Sequence, residues 1–179
     1  MRGSIAFIGA GGQGIVFAAQ LLAETLFEWG LYVAQLQSYG AEVRGGSVLA
    51  YVVFDEEPIE DPYIYRHTVA VVLHEIGLRR WRRHAEEASK VLYDRDLVKT
   101  PATTWIPVPI TRRCIDAGVH GSENVAAAAI ALGMAGRDMV ERLRSIVARR
   151  PRAEQNLRAI DVGLELLREL EPRLGSAQL

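Results

Sequence analysis

The sequence predicts an α/β fold, a layered and largely parallel sheet flanked by helices. Three observations predict it. Short apolar runs of strand length (4–8, 31–37, 48–54, 68–73 and 90–93) are interleaved with longer stretches of helical periodicity. The run 48–54 is apolar throughout, as a strand covered on both faces is, and 68–73 reads as another buried strand. From Ser122 onward the chain reads mostly as helix. With 179 residues and 19.8 kDa, one α/β domain is expected over residues 1–175, with 176–179 as a frayed tail.

Ser4-Ile5-Ala6-Phe7-Ile8 is a strand-length run that breaks at Gly9-Ala10-Gly11-Gly12-Gln13-Gly14. From there to Phe27, Ile15, Ala18, Ala19, Leu22 and Leu26 recur at helical spacing, and Gly30 stands where a C-cap ends a helix. Leu31–Gln37 reads as a second strand after a short connection. A polar, glycine-rich loop over 38–47 and a third strand over 48–54 follow. Asp55, Glu56, Glu57, Glu60 and Asp61 make an acidic connector in which Pro58 and Pro62 forbid regular structure.

Thr68–Leu73 and Lys90–Tyr93 are further strands around a helix over 77–89. Ile106–Ile110 is extended, and Pro107 and Pro109 put it at a sheet edge. Ser122 or Asn124 is in position to cap an Ala-rich helix to Met134, Gly136 interrupts, and Asp138 opens a second helix to Arg149. Pro151 breaks that helix. A last helix over 152–170 carries Leu157, Ile160, Leu164 and Leu167 on one face, and Pro172 stops it.

Composition narrows the function. Hydrophobic residues at 49% support a sizeable core, and 21 Lys+Arg against 22 Asp+Glu leave a formal charge of −1. No whole-chain field then recruits nucleic acid or an anionic membrane, and neither is expected as a partner. The single cysteine, Cys114, excludes an internal disulfide and a self-contained iron–sulfur cluster, which normally needs four thiolates. The longest apolar stretch, Val125–Ala135, has 11 residues where a membrane span needs about 20. The chain reads as a cytoplasmic, reduced protein.

Gly9-x-Gly11-x-x-Gly14 after a strand and before a helix fits the dinucleotide fingerprint. The physics is generic: glycines let the backbone turn tightly, and a helix N-terminus offers unpaired N–H groups to an anion. Gly12 adds a further glycine, and Gln13 a side chain that both donates and accepts. A dinucleotide site also needs an acid at the end of the second strand, and Val33-Ala34-Gln35-Leu36-Gln37-Ser38 carries none. The turn alone leaves two readings, a nucleotide site and a Rossmann-like structural turn near an anionic ligand.

Gln37-Ser38-Tyr39-Gly40-Ala41-Glu42-Val43-Arg44-Gly45-Gly46-Ser47, together with that turn, resembles the gamma subunit of the thiamine-dependent 2-oxoacid:ferredoxin oxidoreductases. The pyruvate, 2-oxoisovalerate, 2-oxoglutarate and indolepyruvate enzymes belong to this family. Asp55-Glu56-Glu57-Pro58-Ile59, Glu123-Asn124, and Glu154-Gln155-Asn156-Leu157-Arg158-Ala159 with Gly163 extend the likeness along nearly the whole chain.

The resemblance implies a non-catalytic subunit of a complex that oxidatively decarboxylates a 2-oxoacid to acyl-CoA and reduces ferredoxin. Its partners are expected to be alpha and beta subunits, and in some complexes delta. Those chains would hold the thiamine diphosphate, Mg and iron–sulfur clusters, and coenzyme A would be the acyl acceptor. No cofactor, metal or catalytic residue is assigned to this chain alone. Residues expected to contact ligand or partner are Gly9, Gly11, Gly12, Gln13 and Gly14 in the turn, and Tyr39, Glu42, Arg44, Gly45 and Gly46 in the loop. The turn and the loop are expected to meet at the carboxyl ends of the first two strands, where open α/β sheets place ligands. The rival classes are a stand-alone Rossmann-type nucleotide-binding oxidoreductase and a non-enzymatic assembly module.

Other features have simpler readings. Glu42 and Arg44 share a face if extended, as a salt bridge or with Arg44 aimed at an anion. Tyr39 reads as a packed ring. Arg79-Arg80-Trp81-Arg82-Arg83 reads as a solvated or partner-facing helix surface. His67, His74, His84 and His120 lack metal-ligand spacing, His74 reads as structural, and Cys114 reads as a core or interface residue.

Overall fold

The structure is a computed structural model that describes residues 1–42 and 45–174. The expected 176–179 tail therefore lies outside the described residues. Twelve elements follow one another: β1 (Gly3–Ala10), α1 (Ile15–Glu28), β2 (Tyr32–Tyr39), β3 (Ser47–Asp55), β4 (Val69–Val72), α2 (Glu75–Glu86), β5 (Lys90–Asp94), β6 (Ile106–Val108), α3 (Ile110–Asp116), α4 (Glu123–Ala135), α5 (Arg137–Val147) and α6 (Ala153–Leu174).

The strands form one sheet in the order β2-β3-β1-β4-β5-β6. Pairs β1–β4, β4–β5 and β5–β6 are parallel, while β3 runs antiparallel to both β1 and β2. The sheet is thus largely parallel, as the sequence predicts, with β3 alone reversed. The reversal follows from the connection. A short loop joins β2 to β3 with no helix between them, and a parallel return needs a crossover of a dozen or more residues. β3 consequently wedges between β1 and β2 and leaves β2 as an edge.

Alternate residues of β1 feed two cores. Ile5 and Phe7 face α1 and the C-terminal helices, and Ala6 and Ile8 face α2. α4 is apolar on every side, and each residue from Val125 to Leu132 is at most 1% exposed, as an enclosed helix requires. Gly163 of α6 allows close approach to α4, since a Cβ there would lie 3.0 Å from the Ala129 Cβ. α1 ends in a Schellman motif: Gly30 takes φ 98°, its N–H donates to the Phe27 carbonyl at 2.9 Å, and Leu31 N–H donates to Leu26 at 3.2 Å.

Several expectations are corrected. The α2 helix starts at Glu75, because the His74 Nδ1 accepts the Ile76 N–H at 3.1 Å and caps it; this gives His74 its structural role. α3 was not expected. Ile110 and Cys114, one turn apart, are its buried face, and the Asp94 carboxylate accepts the Thr111 N–H at 3.0 Å to secure its start. Ser122 stands at the N-cap of α4 without capping it, since its hydroxyl donates to Asn156 Oδ1 at 2.8 Å. Asn124 lies inside the helix. Pro172 does not stop α6, which continues to Leu174; a proline in the last turn removes only the one amide bond it cannot donate. On α6, Ile160 and Leu167 are buried as expected, but Leu157 and Leu164 are only partly so. Ala159, Gly163, Leu166 and Leu170 complete the face instead. Pro107 lies in β6, an edge strand as expected.

Candidate functional site

The site is built at the carboxyl ends of β1 and β2. β1 ends at Ala10 and the chain turns through Gly12 (φ 91°) and Gly14 (φ 71°), conformations that L side chains rarely adopt. Gln13 braces the turn. Its Oε1 accepts the Ala10 N–H at 2.8 Å, and its Nε2 donates to the Leu73 carbonyl at 3.2 Å, tying the turn to the end of β4. The Gly14 carbonyl accepts from Asn124 Nδ2 at 3.2 Å, which holds the start of α4 against the start of α1. α1 has no side-chain cap and no acidic residue in its first turn, so its leading amides keep their capacity for an anion.

The turn and the loop meet, as expected. Gly11 N–H donates to the Gly46 carbonyl at 2.7 Å, and Gly40 N–H donates to Ser47 at 2.8 Å. Gly11 lies so near Gly45 and Gly46 that a Cβ on it would touch both backbones at 3.4 Å. Glu42 folds its carboxylate back over Gly40 and Gly46. Arg44 lies outside the described residues, and with it the expected Glu42–Arg44 pairing. Tyr39 is a correction: at the end of an edge strand its ring is 61% exposed rather than packed, because no further strand covers that side.

On the α2 side of the turn, Arg79 and Arg80 face Glu42, Gly45, Gly46 and Ile76 across an open recess of about 610 Å³. Arg79 pairs with Glu75, Arg82 with Glu86 and Arg83 with Glu87, each one helical turn on. Arg79, Arg80 and Arg83 of the cluster are exposed, Arg82 is half-buried, and Trp81 packs against the α2-side core beneath Arg80. The recess lined by the acidic connector, about 510 Å³, opens at the opposite end of the sheet, beside Arg2, Gly3 and Ser4.

One arrangement escaped the sequence reading. Ser4 Oγ lies 3.1 Å from His67 Nδ1, and His67 Nε2 lies 2.9 Å from His84 Nδ1, beneath Tyr51 and Tyr65. Its members are separated by 63 and 17 positions, so no local spacing announces it. Burial lowers the His67 pKa to about 4, with His84 adding to the effect, and burial also lowers that of His84. The serine is 3% exposed and His67 fully enclosed, so this is a satisfied polar chain and offers no nucleophile to a substrate. Cys114 is likewise in the core, and burial pushes its thiol up to about 12. Among the described residues, no three His, Cys, Asp or Glu side chains are grouped to hold a metal ion. Nor, among those residues, is any helix long and apolar enough to cross a membrane.

A six-stranded α/β sheet, a braced glycine turn and a second loop bonded to it are the features this chain brings to the comparisons. The comparisons give the family. Residues 4–166 match the pyruvate ferredoxin/flavodoxin oxidoreductase domain. The chain is 31% identical over 169 residues to the 2-oxoglutarate synthase subunit KorC of Archaeoglobus fulgidus, covering 93% of this chain and 89% of that one. It is 43% identical over 72 residues to the pyruvate synthase subunit PorC of Methanothermobacter marburgensis, 40% of this chain and 41% of that one. Its structure is similar to the keto/oxoacid ferredoxin oxidoreductase gamma subunit of Geobacter sulfurreducens, with a TM-score of 0.74, 26% identity, and 94% and 99% of the two chains covered. The chain belongs to the pyruvate ferredoxin/flavodoxin oxidoreductase family, and within it is a gamma-type subunit of a 2-oxoacid:ferredoxin oxidoreductase.

Proposed function

We propose that this chain packs on the thiamine-binding alpha and beta subunits of its complex, and that its glycine turn and 38–47 loop wall the coenzyme A side of their active site. The observation that carries the reading is the bond from Gly11 N–H to the Gly46 carbonyl, which joins the two segments at the strand ends. The rim they form suits a phosphate-bearing ligand. The α1 amides lie on one side of it, Arg79 and Arg80 on the other, and guanidinium groups favour phosphate oxygens. The residues do not suit the other groups of the complex. A cluster normally needs four thiolates and the chain has one cysteine, enclosed in its core, so the clusters are assigned to the partners together with thiamine diphosphate and Mg, with ferredoxin as the acceptor. The uncharged end of β2, Gln35-Leu36-Gln37-Ser38-Tyr39, lacks the ribose-binding acid that an independent dinucleotide site needs.

The test is an anaerobic affinity pull-down of the tagged chain from its native cells, with the eluate assayed for viologen reduction. Thiamine-binding and cluster-bearing chains, with reduction dependent on a 2-oxoacid and coenzyme A, are expected. A panel of 2-oxoacids then names the substrate. Gly12→Val and Arg44→Ala in the assembled complex are expected to raise the KM for coenzyme A. An unchanged KM together with unchanged assembly overturns the role of the rim.

A further inference from the structure

The two edges of the sheet differ in kind. β6 has three residues, Pro107 among them and Pro109 just beyond, and so resists pairing. β2 has eight residues, Tyr-Val-Ala-Gln-Leu-Gln-Ser-Tyr, with no charge, proline or glycine among them. That is a length and composition natural proteins rarely leave open to water. Trp29, Tyr32 and Tyr39 are exposed along this edge and the turn that leads into it.

The free backbone groups of this edge can be assigned. In the β2–β3 register Gly40 lies opposite Ser47, and its N–H donates to that residue. Pairs of this kind alternate along an antiparallel ladder, so Ser38, Leu36, Ala34 and Tyr32 also turn their backbone groups toward β3. Val33, Gln35, Gln37 and Tyr39 therefore point theirs outward. Among the described residues, no backbone bond reaches them from that side.

We propose that β2 pairs antiparallel with β2 of a second copy of this chain, joining two six-stranded sheets across a twofold axis at Leu36. Symmetry and bonding both select this register. A twofold axis normal to the sheet keeps each face continuous, so a residue meets one of its own parity. Centring on Leu36 sets Val33 opposite Tyr39 and Gln35 opposite Gln37, and satisfies every outward N–H and C=O from Val33 to Tyr39 in both copies. A shift to either side leaves some of them unmet. The side chains agree. Leu36, which packs with the α2-side cluster, meets its own copy. The ring of Tyr39 then covers Val33 of the other copy. The strand carries no charge, so two copies of it meet without like-charge repulsion. The inference rests on β2 alone and is independent of the coenzyme A reading.

Sedimentation equilibrium of the full chain over a concentration series is the test, with circular dichroism melting to verify folding. The wild-type chain is expected at twice 19.8 kDa. Gln37→Pro keeps the β3 ladder but removes an outward amide, and is expected to sediment as a folded monomer. Q35K/Q37K opposes like charges twice and should weaken the dimer at least about tenfold. Q35K/Q37E opposes unlike charges in the proposed register only, and should restore wild-type dimerisation. A monomeric wild type, a dimeric Gln37→Pro, or Q35K/Q37E no tighter than Q35K/Q37K overturns the proposal. So does a Gln37→Pro complex that loses its alpha or beta subunit while this chain stays paired, because the edge then belongs to that subunit.

Discussion

Gly77, in the first turn of α2, lies on the backbone of Gly9: a Cβ built on Gly77 would fall 2.5 Å from the Gly9 nitrogen and 2.7 Å from its Cα. The helix that carries Arg79 and Arg80 is thus seated directly on the strand end that becomes the glycine turn. Gly77→Ala should destabilise the fold by roughly 1–3 kcal/mol, the cost of overpacking where backbone meets backbone. Its exposed neighbour gives the control, since Ile76→Ala should stay within about 0.5 kcal/mol. Urea denaturation of the two variants checks both values. Equal effects would show that α2 can move off the turn.

Gly14 and Asn124 form a coupled pair. A Cβ on Gly14 would fall 3.0 Å from the Asn124 Cγ and nearer still to its Nδ2, at a backbone φ of 71°. Gly14→Ala should cost about 2–3 kcal/mol, part from the left-handed conformation and part from the displaced amide. In an Asn124→Ala background only the conformational part, about 1–2 kcal/mol, should remain. A double-mutant cycle measures the difference, and strict additivity would mean the two residues do not touch.

The Ser4–His67–His84 chain predicts acid sensitivity. An unfolded histidine titrates near 6.5 while His67 in the fold titrates at about 4, because burial disfavours the imidazolium. Between those values the unfolded chain binds a proton that the native chain refuses. Stability is therefore full above pH 6.5 and falls as the pH drops toward 4, by about 3 kcal/mol from His67. His84, shifted in the same direction, adds to the loss. Denaturation midpoints from pH 7.5 to 4.5 trace the slope, and His67→Phe should flatten it. A wild-type midpoint that is level across that range contradicts the buried pair.

Cys114 gives a simple probe of the native core. Its thiol is enclosed and its pKa is raised to about 12, so almost no thiolate exists at pH 8. A disulfide reagent should leave the folded chain unmodified and label one thiol per chain after denaturant is added. Prompt labelling of the native protein would place α3 away from the core.

Much of this was legible in the sequence because it is local. The strand, glycine turn and helix over residues 4–27 announce themselves by the change from strand-length run to helical spacing, and Gly30 marks the helix end by the conformation only glycine takes easily. The meeting of the 38–47 loop with the turn was foreseen, since both follow strands that end on the same side of the sheet. Other features left no such trace. α3 is two turns long, shorter than a periodic pattern needs to be recognised. His74 reads as structural from the sequence, but only the backbone conformation around it shows that its ring is a helix cap.

The sequence by itself determined the order of elements apart from α3, the glycine turn, the buried central strands and the family, because periodicity and short motifs depend on residues close in the chain. Tertiary structure decided which strands are neighbours. That β3 inserts between β1 and β2, exposing Tyr39 and opening an uncharged edge, depends on its hydrogen bonds to β1, whose residues are dozens of positions away. The same holds for the Gly11–Gly46 bond, the Asn124 tie to Gly14 and the His67–His84 pair. Pairing partners are chosen by competition across the whole chain, and no local pattern encodes the outcome.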